Sequence, residues 1–226
     1  MRHPPTSRST RYRRFVHDSG QIAQAAPTPY NRYPIRHAAV VSDIAVKTSE
    51  FVIAMQRKTL LTTPRFTVEK RRYEDASGHT CEKDVIIHPG AVVIVPVLAD
   101  RRIVMIENRR IAVEETLLEL PAGTRSPGET SLETAHRELV EETGYRAASM
   151  EPLTEFFASP GICNELMSCF VARDLNQVGQ QLEPGEEIKV VTMSRAALRV
   201  MIGDGTLRDG KTIAALGTFF GRESSE

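Results

Sequence analysis

Three glutamates, Glu138, Glu141 and Glu142, stand at positions i, i+3 and i+4 of one short stretch of the sequence. If that stretch is helical, their carboxylates gather on one side of the helix, where like charges repel one another. Clustered carboxylates provide the hard oxygen ligands that Mg²⁺ takes beside substrate phosphates. A solvated acidic face has the same spacing. These residues alone therefore leave two interpretations open, a metal site or a charged surface.

The residues around these glutamates predict the helix that would carry them. Thr130, with Glu133 three positions later, forms a capping box, which marks the start of a helix. Apolar residues at 132, 135 and 139 form one stripe for packing. Gly144 provides the C-terminal stop, and the glycines and proline between 123 and 128 indicate a loop that leads into the helix.

The whole stretch from 123 to 145 resembles the Nudix box, Gly-x5-Glu-x7-Arg-Glu-U-x-Glu-Glu-x-Gly-U, where U is a bulky apolar residue. Every fixed position of the motif is matched without a spacing error. The matching residues are Gly123, Glu129, Arg137, Glu138, Leu139, Glu141, Glu142, Gly144 and Tyr145. By this resemblance the chain is identified as a member of the Nudix hydrolases. The resemblance implies an α/β fold, the Nudix α/β/α sandwich with a mixed sheet, and the use of Mg²⁺, with Mn²⁺ as the alternative.

The resemblance also implies roles for residues in and beside the box. Glu138 and Glu142 match the leading metal ligands, together with the backbone carbonyl of Ala122, and Glu141 matches an additional or water-mediated ligand. Arg137 is spaced to pair with Glu141 and hold it in position. A divalent ion at such a site screens phosphate charge and lowers the pKa of a bound water. We therefore expect the catalytic centre among these residues.

The base that activates water is expected outside the box. In the resembling subfamily it lies on the loop after a Ser-Pro-Gly sequence, which here spans 159–165 and offers Glu165. A loop carboxylate beside an activated water is suited to proton removal, whereas an exposed glutamate without a catalytic role is the alternative interpretation. Glu129, inside the box, is expected to support its loop through hydrogen bonds.

Three features outside the box resemble the ADP-ribose pyrophosphatases. Pro160 lies 16 residues after Gly144, the runs at 88–93 and 118–123 are typical of that subfamily, and a hairpin precedes the catalytic domain. The resemblance implies hydrolysis of ADP-ribose to AMP and ribose 5-phosphate, and a homodimer formed through the hairpin. GDP-mannose or a UDP-sugar is the alternative substrate. A non-catalytic Nudix-like sensor of nucleotide sugars is the alternative of another class, but such domains typically lose box glutamates that this chain keeps.

Four residues are expected at the substrate by the same resemblance. Arg110 matches an arginine that contacts the diphosphate or the terminal ribose, with a strand-end surface charge as its alternative role. Phe66 is a candidate for stacking on adenine, from the partner subunit, with ordinary hairpin packing as the alternative. Asp84 stands where relatives often have glutamate, and Gly123 opens the box. Departures from the subfamily at 83–84 and 108–109 leave the preferred sugar nucleotide open.

The apolar patterns predict the strands and helices around this centre. Strands are expected at 66–73, 81–88, 91–98, 103–107, 117–120, 153–158, 166–172 and 188–193, and helices are expected after Ser194 and Asp209. We predict three segments: a basic, disordered segment at 1–55, a β-hairpin element for dimerisation at 56–89, and a Nudix hydrolase domain at 90–226.

The charge of the chain is distributed unevenly. Residues 1–40 carry seven arginines and one aspartate, whereas the remainder has 22 basic and 28 acidic residues. The arginines are scattered among Pro, Ser and Thr, so we expect a disordered tail, with nucleic-acid binding as the less favoured alternative. A translation start at Met55 is a further hypothesis. The three cysteines fit neither a disulfide nor a zinc spacing, and no apolar run could span a membrane, so we expect a cytoplasmic protein.

Overall fold

The computed structural model describes residues 55–223, and in this range the chain forms ten strands and three helices. The strands are β1 (Gln56–Thr62), β2 (Thr67–Glu74), β3 (Thr80–Ile87), β4 (Ala91–Pro96), β5 (Ile103–Arg110), β6 (Glu115–Glu119), β7 (Ala122–Thr124), β8 (Tyr145–Phe157), β9 (Leu166–Gln177) and β10 (Ile188–Met193). The helices are α1 (Ser131–Thr143), α2 (Arg195–Gly203) and α3 (Gly210–Glu223). The predicted disordered tail lies outside the described residues, and so does all that precedes the hypothetical start at Met55.

The N-terminal end of the described chain is an antiparallel sheet in the order β1-β2-β3. The predicted hairpin is its β2–β3 pair. Asp75 builds the turn, since its Oδ1 accepts hydrogen bonds from the backbone N–H groups of Ser77 and His79 at 2.8 and 2.9 Å. The sequence pattern does not predict β1, because all seven of its residues are exposed and no apolar alternation distinguishes it from a loop.

A mixed sheet in the order β7-β4-β9-β8 forms the centre of the fold. β4 pairs parallel with β9 and antiparallel with β7. All six residues of β4 are buried, as its continuous apolar run predicts, because both faces of the strand are covered. Val92 and Ile94 face one hydrophobic cluster, whereas Val93 and Val95 face another.

Helices cover the two faces of this sheet. α1 contributes Ala135 and Leu139 to the cluster around Val92 and Ile94. α2, α3 and a second sheet, in the order β10-β5-β6, contribute to the cluster on the other face. This layering of helices about a mixed sheet confirms the predicted α/β class.

The two strands that flank the 159–165 loop extend further than the sequence predicts. β8 and β9 pair from Phe157 and Leu166 at the loop to Tyr145 and Gln177 at the far end. Their distal halves contain many exposed polar residues, so apolar patterning identifies only the halves beside the core. The loop is therefore held on both sides by paired strands.

Both C-terminal helices begin where the sequence predicts. Ser194 Oγ accepts a hydrogen bond from the N–H of Ala197 at 3.1 Å, and Asp209 Oδ2 accepts one from the N–H of Thr212 at 3.0 Å. Such side-chain caps satisfy N–H groups that have no partner within the helix. Among residues 55–223, no helix combines the length and apolarity needed to cross a bilayer.

Candidate active site

The helix with the clustered glutamates, α1, is fixed at both ends as its sequence predicts. Thr130 Oγ1 accepts from the N–H of Glu133 at 3.2 Å, and Glu133 Oε2 accepts from the N–H of Thr130 at 2.8 Å, so the capping box is complete. At the other end Gly144 adopts φ 72°, a left-handed conformation that ends the helix at little cost for glycine. The carboxylates at 138, 141 and 142 thus lie on a helix of defined start and end.

Two of these carboxylates are held against the backbone of β7. Glu142 Oε2 accepts a hydrogen bond from the N–H of Ala122 at 2.8 Å. A Cβ atom on Gly123 would lie 1.9–2.3 Å from the carboxyl group of Glu138, so only glycine leaves room for that carboxylate. The first glycine of the motif is therefore required by close packing between β7 and α1.

The electrostatics of this pair favour a bound cation. Burial raises the pKa of Glu138 to about 7, although Arg137 opposes the shift. Burial also raises the pKa of Glu142 to about 8, with the hydrogen bond from Ala122 in opposition and the charges of Glu138 and Glu186 adding to the rise. Two buried carboxylates with too little positive charge around them are stabilised as anions by a divalent ion, so the donor set fits a hard metal.

Arg137 connects the remaining acidic residues of the motif. Its Nε and Nη2 donate to the two oxygens of Glu129 at 2.9 and 3.0 Å, and its Nη1 donates to Glu138 and Glu141, each at 2.7 Å. The hydrogen bonds from Arg137 lower the pKa of Glu129 to about 2. Within residues 55–223, no three His, Cys, Asp or Glu side chains are grouped as a metal site. Glu141 in this structure is a partner of Arg137.

A cavity of about 560 Å³ opens beside β7. It brings together Arg110, Gly123 and Glu165, which are far apart in the sequence. The lining residues are Ala91, Arg110, Ala122, Gly123, Thr124, Phe156, Phe157, Ala158, Glu165, Met167, Asp209, Gly210, Lys211 and Ala214. The cavity therefore lies between β7, whose backbone contacts Glu138 and Glu142, and the loop that carries the predicted base.

Glu165 is positioned by the end of the N-terminal sheet. Ile86 donates from its N–H to the carbonyl of Ile162 at 2.8 Å and accepts from the N–H of Asn164 at 3.2 Å. Asn164 Oδ1 accepts from the N–H of His88 at 2.7 Å. His88 Nδ1 lies 3.5 Å from Glu165 Oε1. The loop 159–165 is thus attached to the end of β3 and the residues after it.

A network of charges that no sequence pattern predicts forms another wall of the cavity. Glu119 is fully buried and accepts from Arg110 Nε and Nη2 at 2.8 and 2.6 Å and from Lys211 Nζ at 2.5 Å. Lys211 also donates to Asp209 at 2.9 Å. A buried carboxylate needs such partners. The one signal in the sequence was a glutamate inside an apolar run at 117–120.

The site can be compared with those of known proteins. Residues 87–216, which contain the complete motif and the 159–165 loop, match the family model described as NUDIX domain. This chain belongs to the Nudix family. Members of the family that hydrolyse ADP-ribose generally depend on divalent metals.

Several relatives cover most of the described chain. A methanol dehydrogenase activator from Bacillus methanolicus is 32% identical over 168 residues, which is 71% of this chain and 91% of that protein. An ADP-ribose pyrophosphatase from Bacillus subtilis is 32% identical over 142 residues, 62% of this chain and 77% of that protein. The crystal structure of an ADP compounds hydrolase superposes with a TM-score of 0.67 at 25% identity, covering 76% of this chain and 94% of that one. The predicted family, the sandwich fold and the enzyme class, a Nudix pyrophosphohydrolase, are confirmed.

One further carboxylate of this Nudix domain was not predicted. Glu186 lies between β9 and β10, and its charge contributes to the raised pKa values of both Glu138 and Glu142. Its Oε2 accepts from the N–H of Glu183 at 2.9 Å. In the sequence it belongs to an acidic, glycine-containing stretch without periodicity, and nothing in that pattern connects it with the Nudix box.

Two predicted substrate residues lie away from the cavity of their own chain. Phe66 precedes β2 and is 36% exposed. Asp84 lies on β3, where its carboxylate pairs with Lys70 Nζ at 3.2 Å. Neither residue lines the cavity. Their contact with substrate stays a prediction.

Proposed function

We propose that this Nudix enzyme hydrolyses ADP-ribose to AMP and ribose 5-phosphate with Mg²⁺, which Mn²⁺ can replace. The proposal depends on one observation: Arg110, Glu165 and β7 line the same cavity, and the backbone of β7 contacts the buried carboxylates of Glu138 and Glu142. Relatives described as ADP-ribose pyrophosphatases, 32% identical in Bacillus subtilis and 31% in Mycobacterium tuberculosis, support this choice of substrate. Water attacks one phosphorus of the diphosphate, and the P–O bond between that phosphorus and the bridging oxygen breaks.

The metal would be held by oxygen atoms at the β7–α1 contact. Glu138 and Glu142 provide the carboxylates, the carbonyl of Ala122 is the third donor, and Glu141 is a further one. When bound, a divalent ion neutralises charge on the diphosphate oxygens and makes a bound water more acidic. Arg137 maintains the carboxylates in place, since one of its nitrogens donates to both Glu138 and Glu141.

Arg110 is oriented to bind the substrate. Two of its nitrogens, Nε and Nη2, are engaged by Glu119, which fixes the plane of the guanidinium. Nη1 has no hydrogen bond to the described residues and remains for an oxygen of the diphosphate or the ribose. A guanidinium held by a buried carboxylate loses little rotamer freedom when it binds. Lys211, tied to the same Glu119, presents a second cation to the cavity.

Two carboxylates are candidates for the base that takes the proton from the attacking water. Glu165 lines the cavity on a loop that β3 supports. Glu186 lies on the segment between β9 and β10, and its charge contributes to the raised pKa values of Glu138 and Glu142. We retain Glu165 as the proposed base because it faces the cavity. Glu165→Gln and Glu186→Gln, compared at saturating substrate, decide between them: the base variant loses most of kcat with little change in KM.

The substrate is tested by measuring kcat/KM for ADP-ribose, GDP-mannose, UDP-glucose, diadenosine polyphosphate and 8-oxo-dGTP with Mg²⁺. A clear preference for ADP-ribose, with AMP and ribose 5-phosphate as products, is expected. A preference for GDP-mannose or UDP-glucose would retain the mechanism and change the substrate. Tight binding of nucleotide sugar without turnover would indicate the sensor.

We further propose that the enzyme is a cytoplasmic homodimer, with contact made through the N-terminal sheet. Leu60, Leu61 and Phe66 expose apolar surface on or beside β1 and β2. Pairing of two such sheets would bury these side chains and bring Phe66 and Asp84 to the partner's cavity. Light scattering after size exclusion tests the dimer. The unsubstituted protein should have the mass of a dimer, and Leu61→Glu should have the mass of a monomer and an increased KM. A monomeric mass for the unsubstituted protein would exclude the dimer.

A further inference from the structure

The segment 178–187, here called the crossover, connects β9 of one sheet to β10 of another and passes the C-terminal end of α1. The N–H groups of Val178 and Gly179 donate to the carbonyl of Gly144 at 2.8 and 3.2 Å. The N–H of Gln181 donates to the carbonyl of Glu141 at 3.0 Å. The last turn of a helix leaves carbonyls without intrahelical donors. The crossover therefore satisfies the end of the helix that carries the metal carboxylates.

The close approach depends on glycine at position 144. A Cβ atom there would lie 2.7 Å from the backbone nitrogen of Gln180 and 2.8 Å from the carbonyl carbon of Gly179. Gly144 thus does more than end α1. It allows the crossover backbone to lie directly against the helix end.

One side chain adds to these backbone contacts. Gln180 Nε2 donates to the carbonyl of Glu142 at 2.7 Å and to the carbonyl of Ile188 at 3.4 Å. Ile188 is the first residue of β10. Both N–H groups of the amide are therefore directed at carbonyls, one on the metal helix and one at the far end of the crossover.

Between these two contacts the crossover carries Glu186. Glu183 and Glu186 close a turn, in which the N–H of Glu186 donates to the carbonyl of Glu183 at 3.1 Å. The negative charge of Glu186 is repelled by the carboxylates of α1. A neutral amide is suited to hold the two together, because it forms hydrogen bonds without placing a cation beside the metal ligands.

We propose that Gln180 is a positioning residue of this hydrolase, which ties the crossover to the end of α1 by hydrogen bonds to the carbonyls of Glu142 and Ile188 and so fixes Glu186 relative to Glu142. Gln180 itself acts only through the crossover and touches neither metal nor substrate. The inference rests on the proposed function and adds a residue that the Nudix box does not contain.

The test compares Gln180→Ala with Gln181→Ala in the complete chain, with ADP-ribose and Mg²⁺. Gln181 is the matched control, because its hydrogen bond to Glu141 comes from the backbone and survives the substitution. Gln180→Ala should lower kcat about ten-fold or more, since a displacement of about 1 Å in an active site costs up to about a hundred-fold. KM and Tm should stay close to those of the unsubstituted enzyme.

Two further measurements separate positioning from a general structural effect. In a Glu186→Gln background, Gln180→Ala should lower kcat only slightly further, because both substitutions act on the crossover. Hydrogen exchange should increase across 178–187 in Gln180→Ala and stay unchanged in Gln181→Ala. Unaltered kcat in Gln180→Ala, or a full additional loss in the Glu186→Gln background, would overturn the inference. If the unsubstituted enzyme does not hydrolyse ADP-ribose, the proposed substrate fails, and hydrogen exchange still decides whether Gln180 anchors the crossover.

Discussion

The contact between Gly123 and Glu138 provides a sharp test of the site, because the distance between them leaves no room for a side chain at position 123. In Gly123→Ala the new Cβ would lie 1.9 Å from the carboxyl carbon of Glu138 and 2.0 Å from its nearer oxygen, whereas ordinary contact begins at 3.4 Å. The carboxylate must therefore move by about 1.5 Å, or β7 must shift by a similar amount. A displacement of this size costs about a hundred-fold in rate, which corresponds to about 2.7 kcal/mol of activation free energy.

The assay is steady-state hydrolysis of ADP-ribose across a range of Mg²⁺ concentrations. Gly123→Ala should lower kcat about a hundred-fold and raise the Mg²⁺ concentration needed for half-maximal rate, because Glu138 is displaced from the metal. Gly217→Ala in α3 is the matched control, since a Cβ there meets nothing within 4 Å. A Gly123→Ala enzyme with kcat and Mg²⁺ dependence within two-fold of the control would refute the assignment of this contact.

Three other predictions concern the same network of charges. The pKa values of Glu138 and Glu142 are raised to about 7 and 8, so Mg²⁺ affinity should increase from pH 6 to pH 8 with release of protons. Calorimetry in buffers of different ionisation enthalpy measures this release. Without metal, the unfolded state loses these protons at lower pH than the folded state, so the free energy of unfolding should fall as pH rises through 5–8. Arg137→Lys removes the forked donors and should lower kcat at least about ten-fold at unchanged protein fold by circular dichroism; an enzyme as active as the unsubstituted one would show that the arginine is dispensable. Lys211→Met removes one cation from the buried Glu119 and should cost about 2 kcal/mol of unfolding free energy in urea while raising KM; no change in either would exclude Lys211 from the network.

Local signals in the sequence predict the parts of the site that depend on neighbouring residues. The capping box of Thr130 and Glu133, the glycine stop and the apolar stripe define α1 almost to the residue, because each acts within one or two helical turns. β4 is predicted for a similar reason, since its uninterrupted apolar run fits a strand buried on both faces. The spacing of the motif also predicts Glu138 and Glu142 as metal ligands, and this role stays a prediction.

Contacts between distant segments account for what the sequence does not reveal. Lys211 meets Glu119 across 92 positions, and no spacing rule connects them. The crossover backbone lies against the end of α1 at Gly144, and the sequence identifies this glycine as a helix stop without indicating that it also makes room for Gln180. β1 is exposed along its whole length, so its pairing with β2 leaves no apolar pattern. These features depend on tertiary geometry.

The most direct test of the account is the hydrolysis of ADP-ribose by the unsubstituted enzyme and by Glu142→Gln at saturating Mg²⁺. Glu142 is buried, bound to the backbone of Ala122 and proposed as a metal ligand, and its amide variant keeps the shape of the side chain while removing the charge. We expect rapid formation of AMP and ribose 5-phosphate by the unsubstituted enzyme and a loss of at least about a thousand-fold in kcat in the variant, with the fold intact. Turnover that survives the substitution would contradict the metal site, and an unsubstituted enzyme that binds ADP-ribose without cleaving it would contradict the proposed function.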